Sequence, residues 1–145
     1  MHTPAPAVYC VAAPRRATTT TQTRSRCPHP CLDHVTSVGA FINGALDKTA
    51  GADVEAHGSH VCGIIAARPQ QEGQFAGIAP GVQLLCARVF QAGSGANQGD
   101  IANAIDHLSR EGKADLINLS LGAPTGSQIE HDAILDAAER GTLCV

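Results

Sequence analysis

VQLLCARVF, from Val82 to Phe90, is apolar almost throughout. A run this short and this apolar reads as a strand covered on both faces, as in a parallel sheet packed between helices. Downstream, GSGANQG (Gly93–Gly99) reads as a loop. Asp100 then precedes Ile101, Ile105 and Leu108, an apolar face at helical spacing. DLINLSLG (Asp115–Gly122) is a second buried strand and APTGS a turn. Ile129, Ile134, Leu135 and Ala138 mark another helix that ends near Gly141, and TLCV (Thr142–Val145) is a third strand. Upstream, GIAPG (Gly77–Gly81) is a turn. His57–Ala67 reads as a helix with Gly58, Ser59 and Gly63 on one side and Val61, Ile64 and Ile65 on the other. HVTSVGAFI (His34–Ile42) is β-branched and reads as a strand or loop. Strands alternating with helices imply parallel pairing through right-handed crossovers. The expected fold class is α/β, a parallel sheet with flanking helices. Its last strand would need cover from a partner or from further sequence.

The 145 residues suffice for one domain, and 43% hydrophobic content permits a core. With 3% aromatics and no Trp, that core must be aliphatic. A net charge of −3 offers no nucleic-acid or membrane footprint, and no apolar run approaches the length of a spanning helix. Residues 1–32 differ from the rest. Through Pro30 this stretch has no acidic residue, four arginines (Arg15, Arg16, Arg24, Arg26) and five of the eight prolines. Such a composition buries too little apolar surface to offset chain entropy, so 1–32 is expected to be disordered or foreign to the domain at 33–145. It lacks the order of a secretory signal, because its apolar patch precedes the arginines; an Arg- and Thr-rich start suggests a transit peptide, but a linker or a wrongly assigned start of the reading frame is the preferred reading.

Of six cysteines, Cys62, Cys86 and Cys144 lie in apolar stretches and read as small hydrophobes, not as a disulfide framework. Cys27, His29 and Cys31, with His34 nearby, invite a zinc reading. Their spacing is unusual and two prolines stiffen it, so no metal and no cofactor is expected.

HGSHVCGII (His57–Ile65) raises a sharper question. A histidine at a helix start can be a packed terminal residue, a ligand or a base. His57, His60 and Cys62 do not share one helical face, which disfavours metal. A base there becomes a strong catalyst only if a carboxylate holds its other ring nitrogen. A dinucleotide-binding reading of Val82–Ile105 competes, with Asp115 as the ribose acid. It fails on spacing: Gly93-x-Gly95-x-x-x-Gly99 is not the fingerprint, and Asp115 begins a strand where that acid should end one.

HGSHVCGIIAA resembles the histidine motif of the subtilisin-like serine proteases, usually written HGTHVAG. GIAPGVQLLCARVF resembles the segment after it. GSGANQGDIANAIDHLSREGKADLINLSLGAP resembles the substrate-binding loop, the next helix and the strand ending in Ser-Leu-Gly. The resemblance runs in order from about His57 to Val145. It implies a subtilisin-like fold and an extended polypeptide substrate. It implies that His57 is the catalytic histidine, and that His60 is structural. It further implies that Ser120, Leu121 and Gly122 pair with the substrate on one side, and Gly93, Ser94 and Gly95 on the other. Glycines at such edges let a peptide backbone come close.

Two departures stand out. The family's Asp-Thr-Gly motif precedes a His-Pro pair; counting back from His29-Pro30 reaches Gln22-Thr23-Arg24. Asp33, Asp53 and Glu55 are nearby but lie in no such motif. The nucleophile motif Gly-Thr-Ser-Met-Ala is absent from the sequence, and Ser120 matches a substrate contact. The expectation is therefore a partial serine endopeptidase domain that carries the histidine and substrate segments without the serine, and without the aspartate. The alternative is a non-catalytic, degenerate protease or peptide-binding fragment.

Overall fold

The computed structural model describes residues 9–13, 29–53, 56–90 and 95–145. Their elements are β1 (Tyr9–Ala13), β2 (Thr36–Ile42), β3 (Ala45–Asp47), α1 (His57–Ala66), β4 (Leu85–Arg88), α2 (Gln98–Arg110), β5 (Leu116–Leu119), α3 (Gln128–Glu139) and β6 (Leu143–Cys144). A short 3-10 turn, Pro30–Leu32, precedes β2. The six strands form one sheet in the order β3-β2-β4-β1-β5-β6. β2 pairs parallel with β4, and β5 parallel with β6. The fold is α/β, as the sequence leads one to expect.

β4 shows why its segment is apolar throughout. All four of its residues are buried. Leu85, Ala87 and Val89 face one core with Ile101, Ala104, Ile105 and Leu108 of α2, Ile117 of β5 and Ala137 of α3. Leu84 and Cys86 face another core with Leu32, Val35 and Cys62 and Ala66 of α1. Helices thus cover both faces of the sheet, giving three layers. Ile105, Leu108 and Ile117 are fully buried, each worth about 1.5–3 kcal/mol of apolar burial. Asp106 ties the helices of one layer together, accepting from Arg110 of its own helix and, at 3.0 Å, from Arg140 beyond α3.

β2 and β3 form an antiparallel hairpin whose turn is Asn43-Gly44, with φ of 55° and 79°. Positive φ at both central residues is the primed turn that matches strand twist, and Asn-Gly is its preferred pair. Asp100, in the first turn of α2, is buried and accepts from the N–H groups of Asn43 (3.0 Å) and Gly44 (2.7 Å). The carboxylate so holds the hairpin tip against a helix 56 residues away in sequence.

Tyr9–Ala13 lies inside the stretch read as disordered or foreign, yet it forms a strand in the sheet interior, antiparallel to both β4 and β5. Its composition misled because five extended residues need only two waiting strand edges to satisfy their backbone. As a consequence β4 and β5 run in the same direction without touching as neighbours. The rest of 1–28, including the arginines, Cys27 and Gln22, lies outside the described residues.

Candidate active site

α1 begins at His57 without a capping side chain: Ala56 holds the N-cap position with φ 61°. Asp53 supplies the missing acceptor. Its carboxylate takes the Ser59 N–H at 2.8 Å and the Ser59 hydroxyl at 2.6 Å. Charge-assisted bonds of this kind satisfy a helix start and oppose its positive dipole end. Asp53 thereby serves the start of α1.

The far end of α1, Ala66, packs with Leu32, Val35 and Leu84, at the amino ends of β2 and β4. A rise of 1.5 Å per residue puts His57 about 13 Å back toward the carboxyl ends. Ligands of open α/β sheets bind beside those ends. His57 is half-buried. Its Nδ1 is buried and meets no hydrogen-bond partner among the described residues. A buried ring nitrogen without a partner is costly unless a ligand or further chain meets it. His60 is exposed and Cys62 is 1% exposed, so α1 turns them to different surroundings. His29 accepts from the Cys31 N–H at 3.3 Å through Nδ1, which gives that histidine a turn-capping role.

The carboxyl ends of β4 and β5 open into a cavity of about 540 Å³. Gly95 and Ala96 form one wall, and Ser120, Leu121 and Gly122 another, over Ile101. An antiparallel bridge between Phe90 and Ala96 closes the loop that carries Gly95. Gly93 and Ser94 lie outside the described residues. A Cβ built at Gly95 or Gly122 meets no atom within 4 Å, so both glycines face open space. The Ser120 hydroxyl is exposed and accepts from the Asn118 amide at 2.7 Å. The structure therefore brings Gly95 and Ser120–Gly122 together around one cleft.

Glu130 also lines this cavity, and the sequence reading passed over it. It stands in the first turn of α3, and partial burial pushes its carboxyl above the ordinary glutamate value. Its sequence signal, an acid at a helix start, is indistinguishable from dipole compensation. A larger hollow, about 680 Å³, lies on the outer side of α1 between Leu32, Gly63, Ile64 and the nearly fully exposed Phe75 and Ile78. It is apolar, and His57 does not line it.

The sequence matches the subtilase family over residues 30–145. It is 33% identical over 118 residues to a thermophilic serine proteinase of Bacillus sp. (strain AK1), covering 81% of this chain and 28% of that protein. It is 37% identical over 99 residues to the major intracellular serine protease of Bacillus subtilis (strain 168), 68% of this chain and 30% of that one. Subtilisin Savinase of Lederbergia lenta is 32% identical over 117 residues, 81% and 41% of the two chains. The chain spans less than half the length of these relatives. The match begins at Pro30, upstream of the histidine motif, and takes in the Pro30–Leu32 turn, the hairpin and every strand of the sheet except β1. On the family match and these identities together, the chain belongs to the subtilase family.

Proposed function

We propose that this chain carries the histidine and substrate-binding segments of a serine-type endopeptidase. His57 is the group that takes the nucleophile's proton and returns it to the leaving amine. Gly95 and Ser120–Gly122, with Gly93 and Ser94, are the edges between which an extended polypeptide adds as a strand. The observation that carries this reading is the Nδ1 of His57, buried and without a hydrogen-bond partner among the described residues. A proton-shuttling imidazole needs an acceptor at that nitrogen to fix its tautomer and stabilise its charged form.

The 145 residues hold neither Gly-Thr-Ser-Met-Ala nor Asp-Thr-Gly. On this reading the chain by itself binds peptides without cleaving them. The open space at Gly95 and Gly122 supports the binding half. The test is incubation of the purified chain with an unfolded protein and a serine-directed phosphonate. We expect intact substrate and no label. Cleavage with stoichiometric labelling would overturn the assignment of an incomplete site.

A further inference from the structure

Glu130 is the one ionisable side chain among the described residues lining the cleft beside Gly95 and Ser120–Gly122. The other walls are Phe90, Ile101, Leu119, Leu121, Pro124 and small or amide residues. No cation and no hydrogen-bond donor among the described residues meets the Glu130 carboxylate, and partial burial is what raises its pKa. Asp106, by contrast, holds two arginines. Compensation of the α3 dipole explains an acid in this turn, but an exposed acid would do that without loss of hydration. Ser127 already serves the helix start, accepting the Glu130 N–H. A carboxylate that is partly desolvated, unpaired and set in an otherwise neutral pocket gains most from a cation brought by a ligand.

We propose that Glu130 makes this pocket selective for a lysine or arginine side chain of the bound peptide. The apolar walls fit the methylene stem, and the carboxylate meets the charged head. This rests on the peptide-binding reading of the cleft given above.

The test measures affinities of the full chain for a set of fluorescent hexapeptides. They are built of Ala and Val and carry Arg, Lys, norleucine or Glu at each position in turn. At one position Arg and Lys should bind about tenfold tighter than norleucine, the size of a partly desolvated charge pair. Glu130→Gln should erase that preference, bringing the Arg and Lys peptides to the affinity of the norleucine peptide. Glu130→Lys should reverse it toward the Glu peptide. Equal affinity for Arg and norleucine in the native chain, or a preference that survives in Glu130→Gln, would overturn the selectivity while leaving the cleft intact. No binding of any peptide would overturn the cleft itself, and the selectivity with it.

Discussion

At the residue scale, small atoms decide large consequences. Gly122 faces open space and its φ is unstrained, so a side chain there costs the fold little. Gly122→Leu should leave stability within about 0.5 kcal/mol of the native chain by urea unfolding, yet abolish peptide binding by filling the cleft. Asp53→Ala removes both acceptor bonds to Ser59. It should cost about 1–2 kcal/mol of stability, the worth of a lost helix cap. The histidines set the pH response. His34 is 9% exposed, and its ring lies 3.7 Å from Asp33, too long for a hydrogen bond. Burial first, and Arg68 second, lower its pKa below 6.5; burial lowers that of His107 as well. A folded-state pKa below the unfolded one means that the unfolded chain binds more protons. Stability is therefore full above about pH 6.5 and falls as pH drops through that value. The thermal midpoint at pH 5.5 should lie below that at pH 7.5, with the gap narrowed in His34→Leu. Glu130 acts in the opposite sense only nearer the carboxylate range, because its pKa is raised. The helix start at His57 was legible at this scale, since α1 begins there. Asp100 was legible only as a helix start, since its partners Asn43 and Gly44 are brought to it by tertiary packing.

At the element scale, the periodic segments were read well. The helix expected from His57 to Ala67 runs from His57 to Ala66, and the others fall within two or three residues of expectation. Apolar periodicity is set by burial, so it survives translation into structure. The hairpin was missed, although Asn43-Gly44 is its sequence signal, because β3 is only three residues long. Gly77 was read as a turn residue. Its deeper reason is contact: a Cβ there would stand 2.5 Å from the backbone nitrogens of Ala66 and Ala67 at the end of α1. Gly77→Ala should cost at least about 1–3 kcal/mol, as overpacking against backbone does. β1 was illegible because composition reports on chain averages and not on a five-residue docking event. Its amides should resist hydrogen exchange to the degree expected of β4 and β5; exchange at the rate of a free peptide would remove β1 from the sheet.

At the scale of the whole molecule, the family resemblance read from His57 onward is extended by the match, which starts at Pro30. The chain spans 28% to 41% of the three named relatives. Phe75 and Ile78 are 93% and 90% exposed, beside the apolar hollow outside α1. Contiguous apolar surface of this kind binds hydrophobic dyes and promotes association. The folded chain should enhance anilinonaphthalene sulfonate fluorescence, and Phe75→Ser with Ile78→Ser should abolish most of that enhancement without lowering the thermal midpoint. The central proposal, that this chain binds extended peptide without cleaving it, is tested most directly by one time course. A doubly labelled, extended polypeptide is mixed with the full chain, and anisotropy and fluorophore separation are followed together. Anisotropy should rise at once and hold, with no separation over hours. Separation of the labels at a rate set by the chain's concentration, or no rise at all, would contradict the account.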